Sequence, residues 1–188
     1  ETMTELIEYY KGIFTILSSC ASRQLEEVTF RRTVIPVQEL LDAAGKYFKK
    51  LMKNRPERIE LEIEPMEAKV IGDVNQLRFL LENLIDEALT VREDGVIRLQ
   101  ARKDNEYIRF LFTDTRREKS VEELNQLFYP NLARMTSGEK GELRGTEYLV
   151  CKQIIRDHDE FAGRRGCRIN AEPAEGGGFT VYFTIPRR

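Results

Sequence analysis

Asn83 and Glu87 stand one helical turn apart in "GDVNQLRFLLENLIDEALT", residues 72–90, on a polar seam that Asp86 shares. An amide and a carboxylate at this spacing can offer oxygens to a hard cation such as magnesium, which accepts carboxylates readily. The same seam can equally be a solvated helix face on which all three side chains meet only water. Farther along, "DEFAGRRGCR" gathers Arg164, Arg165 and Arg168 into a basic knot able to hold an anion or an acidic partner, or to stand as a solvated loop. The run Gly176, Gly177, Gly178 is not a phosphate loop, because a strand pattern rather than a helix follows it. Three cysteines, Cys20, Cys151 and Cys167, have no paired spacing, which argues against a disulfide framework and against a zinc site.

The 188 residues can bury a real core without staples. Charged residues make up 33% of the chain, yet the formal net charge is only -2, so no electrostatic drive toward nucleic acid exists. No uncharged run approaches the roughly 20 apolar residues of a membrane-spanning helix. The chain opens on Glu1 with nothing resembling a signal peptide, which reads as an excised or processed piece. With unpaired cysteines, a reducing cytoplasm is the expected setting, including the cytoplasmic part of a larger, membrane-anchored chain.

The elements that must position these residues follow from periodicity. "TELIEYYKGIFTILSSCASRQLEEV" keeps Leu6, Ile13, Leu17, Leu25 and Val28 on one stripe and predicts a long opening helix. "TVIP" interrupts it, and a second helix over 37–54 places Leu40, Leu41, Ala44, Phe48 and Leu51 on one face. Ile59, Leu61 and Ile63 alternate with glutamates as in a strand with one wet face. The seam helix follows, with Leu77, Leu80, Leu81, Leu84 and Ala88 as its apolar stripe. "VIRLQAR" and "YIRFLFTD" form a hairpin around the turn "KDNE". Between Asp114 and Gly145 lies a long stretch holding one short helical piece, "VEELNQLFY", as a lid or binding loop would. A last helix, "EYLVCKQIIRDHDEF", and a hairpin of "CRINAEP" and "FTVYFTIP" complete the chain. This order predicts an α+β fold: a two-layer sandwich of a mixed β-sheet covered on one face by helices, with an N-terminal helical extension.

Five segments, in this order, resemble the motifs of the ATP-binding domain of sensor histidine kinases, the fold these share with gyrase, Hsp90 and MutL. "GDVNQLRFLLENLIDEALT" resembles the N-box helix and "FLFTDTRREKS" the first glycine box. "LNQLFYP" resembles the phenylalanine box of the lid, "RGTEYLVCKQII" the second glycine box, and "GGGFTVYFTIP" the last strand. The likeness covers about residues 59 to 187. Its weaker part is upstream, where the two N-terminal helices would be the end of the dimerisation region and the helix leading into the ATP-binding domain.

The resemblance implies a role for each matching position. Asn83 keeps the first asparagine of the N-box, and Glu87 falls where the family has its magnesium-binding asparagine, so Glu87 is the implied metal ligand if magnesium is bound. A carboxylate there adds negative charge beside anionic phosphates. Asp114 matches the aspartate that accepts a hydrogen bond from the adenine amino group, while Arg116 and Glu118 replace glycines that let the backbone approach the base. Gly145 is the recognisable glycine of the second glycine box, whose amides cradle phosphate at a helix start. Leu143, Glu147 and Tyr148 stand where small or aliphatic residues are usual, and a carboxylate at that helix start competes with the anion. Lys152 and Gln153 match the family and read as a solvent face. His158, the single histidine, matches one that packs at the end of this helix; the acid after it also resembles a phosphoacceptor motif.

Residues 1–34 are thus expected to be a dimerisation or linker helix, and residues 35–188 a histidine-kinase-like ATP-binding domain including helix 37–54. Three functions stay open. One is a cytoplasmic signalling module with worn nucleotide motifs, regulatory and weakly active or inactive. Another is an active ATP-dependent histidine kinase with an atypical Mg-ATP site and a phosphoacceptor elsewhere. The third is a non-nucleotide binding domain on the same fold. Departures at three ligand positions favour the first. ATP and magnesium are the cofactors the resemblance implies, and the worn motifs speak against them. A homodimer through the N-terminal helix and a response regulator are the implied partners, with no nucleic acid and no membrane contact in this segment.

Overall fold

The computed structural model describes residues 2–5, 7, 30–130 and 146–188. The long opening helix, with its stripe Leu6, Ile13, Leu17, Leu25 and Val28, and the loop holding Leu143 and Gly145 lie outside the described residues.

Strand β1 (Thr33–Pro36) leads directly into helix α1 (Val37–Met52), with Pro36 in extended conformation as its N-cap. Proline suits that boundary because its fixed φ fits the last extended residue and it has no N–H to leave unpaired. Helix α1 buries Val37, Leu40, Leu41, Ala44 and Phe48, the face expected from spacing. Strand β2 (Ile59–Ile63) buries Ile59 and exposes Glu60 and Glu62. Strand β3 (Lys69–Gly72) then pairs antiparallel with β1, Thr33 opposite Gly72 and Pro36 opposite Lys69.

This two-stranded sheet corrects the reading of "TVIP" as a mere interruption. Each of its strands is four residues long, with Ile35 the one buried residue of β1. Alternation over so short a span is indistinguishable from a loop, and only the pairing of the two segments makes either a strand.

Helix α2 (Val74–Ala88) begins at Asp73, whose side chain accepts the amides of Asn75 and Gln76. Leu77, Leu80, Leu81, Leu84 and Ala88 are all buried. Each fully buried leucine contributes roughly 1.5–3 kcal/mol, so this stripe fixes the helix on the sheet. Strands β4 (Gly95–Asp104) and β5 (Tyr107–Asp114) form the expected hairpin. The turn is tighter than "KDNE": Asp104 pairs with Tyr107, leaving Asn105 and Glu106, and Asn105 takes the left-handed φ of 54° that asparagine tolerates.

After the short helix α3 (Val121–Asn125) and the residues outside the description come helix α4 (Glu147–Phe161), strand β6 (Ile169–Pro173) and strand β7 (Phe179–Pro186). The main sheet has the order β2-β4-β5-β7-β6, with β2 and β4 parallel and all other neighbours antiparallel. Its inner face presents Ile97, Leu99, Ile108, Phe110, Phe112, Val181, Phe183 and Ile185 to α1, α2 and α4, with Phe110 and Phe183 stacked at 4.8 Å. The outer face is polar and carries cross-strand pairs such as Glu62 with Arg98 at 3.1 Å. The architecture is the α+β sandwich that the element order predicts. Among the described residues no helix is long and apolar enough to cross a membrane.

Candidate functional site

The seam of α2 is neither a bare solvated face nor a free ligand set: Glu87 meets Arg117 just past the end of β5, Asp86 turns to α1, and Asn83 bonds back to its own helix. Asn83 is buried and its Nδ2 donates to the carbonyl of Phe79 one turn earlier, at 2.8 Å. Asp86 accepts the hydroxyl of Tyr47 from α1 at 2.6 Å. Burial first, then that hydrogen bond and the carboxylates of Asp86 and Glu82, raise the Tyr47 pKa and keep the phenol a donor. Glu87 lies 3.5 Å from Nη1 of Arg117, in an ion pair whose side chains are each about 15% exposed.

Asp114 ends β5 and is 1% exposed. Its Oδ1 accepts from the backbone amide and the Nε of Arg116, both at 3.0 Å. Its Oδ2 accepts from Nη2 of Arg116 at 3.0 Å and from Nε of Arg117 at 3.2 Å. Two bonds to each oxygen use the lone pairs of the carboxylate. The remaining N–H groups of Arg116 reach the carbonyls of Ala88 at 2.6 Å, Val91 at 2.9 Å and Glu93 at 3.0 Å. All five donors of this buried guanidinium are therefore satisfied.

Arg117 adds a second cation to the same carboxylate, its guanidinium 5.5 Å from the ring of Phe179, over which Lys119 also lies at 5.5 Å. Burial is the largest influence on Arg117 and would lower its pKa. Glu87, then Tyr148 and Asp114, outweigh it, so the net shift is upward and the group stays charged. Site and helix end are thus joined by an alternating series of charges: Arg116, Asp114, Arg117, Glu87.

At the start of α4, Thr146 makes no side-chain cap, and Gly145 lies outside the described residues. Tyr148 is buried and meets the ring of Phe128 edge-on at 5.7 Å. Phe128 belongs to the "LNQLFYP" segment, so this contact joins that segment to α4. Lys152, read as a solvent-facing residue, instead places its ammonium 4.4 Å from the ring of Tyr129; burial, then Arg156, lowers its pKa. Gln153 donates to Asp157 within α4 at 3.0 Å.

His158 is fully buried. Its Nδ1 bonds the carbonyl of Ile154 at 2.8 Å and its Nε2 accepts the amide of Asp73 at 3.1 Å, so both ring nitrogens are taken. Phe30 packs edge-on against the ring at 4.6 Å. Such a histidine positions β3 and α2 against α4, and offers no free nitrogen to a phosphoryl group.

Of the four residues singled out by sequence, the structure joins Glu87 and Asp114 through Arg117, while Asn83 stands one turn before Glu87 and donates to the carbonyl of Phe79. Arg116 bonds Asp114. The doubled arginine after a strand-ending aspartate is visible in "DTRREK", but nothing in the sequence pairs it with Glu87, 30 residues earlier. Among the described residues, no group of three or more His, Cys, Asp or Glu side chains is arranged to hold a metal ion.

Residues 72–188 match the sequence profile of the histidine kinase-, DNA gyrase B- and HSP90-like ATPases. No curated protein sequence matches the chain. Among solved structures, a mycobacterial sensor histidine kinase, MprB, superposes with a TM-score of 0.65 at 18% identity over 84% of this chain and 99% of that one. The catalytic domain of histidine kinase ThkA gives 0.65 at 21% identity over 84% and 96%. ThkA in complex with the response regulator protein TrrA gives 0.64 at 19% identity, covering 100% of this chain and 52% of that one. At these identities the likeness is one of fold.

Proposed function

This chain belongs to the histidine kinase-, DNA gyrase B- and HSP90-like ATPase family, and from that premise we propose that it is a regulatory, non-phosphorylating module of a cytoplasmic two-component signalling protein. In this reading the chain from β1 onward keeps the form of the ATP-binding domain, so that Thr33 and Val34 join it rather than the expected 1–34 helix, and the segment before them serves to dimerise or link. The observation that carries it is the saturation of Asp114 by Arg116 and Arg117.

An adenine amino group could reach Asp114 only by displacing a guanidinium that is itself 1% exposed and fully bonded. Separating a buried pair leaves an uncompensated charge, at a cost of about 3–5 kcal/mol, which exceeds the roughly 1.5–3 kcal/mol that one hydrogen bond to a charged group returns. The magnesium position meets a similar obstacle. A divalent cation on Glu87 would stand beside the guanidinium of Arg117 and lose the carboxylate's charge to it. The side chains present therefore do not fit Mg-ATP in the manner of the family, and no catalytic step is assigned to them.

A module of this kind would act through its surfaces. A solved relative of the same fold, ThkA, is seen with a response regulator. We assign a response regulator as a partner of this domain on that basis, and a second copy of this chain on the apolar stripe Leu6, Ile13, Leu17, Leu25 and Val28 of its N-terminal sequence.

Isothermal calorimetry with ATP and with ADP, each with magnesium, tests the proposal. No heat of binding at millimolar nucleotide is expected. Micromolar binding that Asp114→Asn abolishes would overturn the reading in favour of a nucleotide-binding module with an atypical site.

A further inference from the structure

The surroundings of Arg116 are more than an obstruction, because every group facing its guanidinium is an acceptor. The two oxygens of Asp114 and the carbonyls of Ala88, Val91 and Glu93 converge on the five N–H donors. Adenine cannot complement such a set. At its amino edge it offers two N–H donors beside the ring acceptor N1, which would face a carbonyl without a proton between them. A guanidinium, with five donors in a fixed fork, satisfies all of it, and its charge joins that of Arg117 against the carboxylates of Asp114 and Glu87.

An independent feature makes room for the arginine stem. Gly95, at the start of β4, has φ 147°, and a Cβ there would stand 2.5 Å from Cγ of Arg116. The stem of Arg116 therefore lies where a side chain on residue 95 would have been. Two local features, the acceptor ring and the missing Cβ, fit the same arginine.

Resting on the reading above that this domain does not take nucleotide, we propose that the pocket at Asp114 is a guanidinium-binding site whose resident ligand is the chain's own Arg116. The bound side chain ties the end of α2 at Ala88, the connection at Val91 and Glu93, and the end of β5 at Asp114 into one unit. The ligand class of the site is then a guanidinium, supplied within the chain.

The test is chemical rescue of Arg116→Ala in the full chain. Its thermal midpoint falls by on the order of 10 °C, the consequence of taking from buried Asp114 one of its two guanidinium partners and from the carbonyls of Val91 and Glu93 their arginine donors, while Arg117 and the residue-116 amide stay on the carboxylate. Methylguanidinium at low millimolar concentration restores much of that loss saturably, methylammonium and urea at equal concentration do not, and the wild-type midpoint responds to none of them. Arg116→Lys keeps the charge without the fork and melts nearly as low as the alanine variant. Should Arg116→Ala fail to fold, recovery of its circular dichroism on refolding with methylguanidinium supports the site, and no recovery overturns it. The proposal also fails if the alanine variant melts within about 2 °C of wild type, or if methylammonium rescues as well as methylguanidinium. Better rescue by Mg-ADP overturns it too, since the pocket would then be a purine site that an arginine merely blocks. That last outcome leaves the non-nucleotide reading of the wild-type chain intact, whereas nucleotide binding by the wild type would end that reading.

Discussion

His158 in α4 accepts the backbone amide of Asp73, 85 residues earlier, at 3.1 Å, and the same Asp73 caps α2 with its side chain. One residue at the β3–α2 junction thus fastens two helices. Its Oδ1 serves the amides of Asn75 and Gln76, and its Oδ2 accepts the amide of Arg31 at 2.9 Å, which also ties in the segment entering β1.

The first prediction concerns pH. Burial, opposed only in part by the Ile154 carbonyl and the Asp73 carboxylate, lowers the His158 pKa from 6.5 to about 4. Protonation is then easier in the unfolded chain than in the folded one. The stability carried by neutral His158 is complete above pH 6.5 and is lost as pH falls toward 4, with a slope approaching about 1.4 kcal/mol per pH unit. Urea denaturation of wild type and His158→Gln between pH 7.5 and 5 should show this slope in the wild type and its loss in the variant. An imidazole titrating at 6.5 or above by NMR would contradict it.

Removing the cap should cost more than a surface change. Asp73→Ala is expected to destabilise the domain by about 1–2 kcal/mol, since the amides of Asn75 and Gln76 lose their acceptor. Asp73→Asn should recover most of this, because an amide oxygen caps nearly as well. Denaturant midpoints with unchanged slopes are the measurement.

The Glu87–Arg117 pair should show a modest coupling. With both side chains about 15% exposed, at 3.5 Å, a double-mutant cycle of Glu87→Gln and Arg117→Met is expected to give about 1 kcal/mol. A coupling near zero would mean that Arg117 is held by Asp114 alone.

Two glycines of the final turn should differ sharply. Gly178 and Gly176 both have positive φ, 84° and 87°, but a Cβ on Gly178 would lie 2.1 Å from the carbonyl oxygen of Asp114, whereas Gly176 has nothing within 4 Å. Gly176→Ala should therefore cost about 1–2 kcal/mol of backbone strain. Gly178→Ala should cost upward of about 3 kcal/mol, or prevent folding, because backbone must move to admit the methyl. Equal melting temperatures for the two variants would contradict this packing.

The helices and the long strands were legible in the sequence because each turns its apolar residues to one face, even in β7, where Thr180 and Thr184 on the other face are buried as well. The stripe Leu77, Leu80, Leu81, Leu84 and Ala88 can be covered only if the chain is helical there, and the alternation from Phe179 to Ile185 only if it is extended. The β1–β3 pair was not legible. Four residues with one anchor such as Ile35 carry too little periodicity, and their extended state depends on a partner more than 30 residues away in sequence.

For the site, the sequence by itself singled out Asn83, Glu87 and Asp114 through a resemblance, with Arg116 and Glu118 after the aspartate. Only the tertiary structure decided what those side chains do. The direction of an arginine is set by the acceptors that several elements bring to it, and Ala88, Val91, Glu93 and Asp114 come together only when α2 lies across the end of β5. Composition counts Arg116 as one more surface charge, while the fold buries it with all five donors bonded.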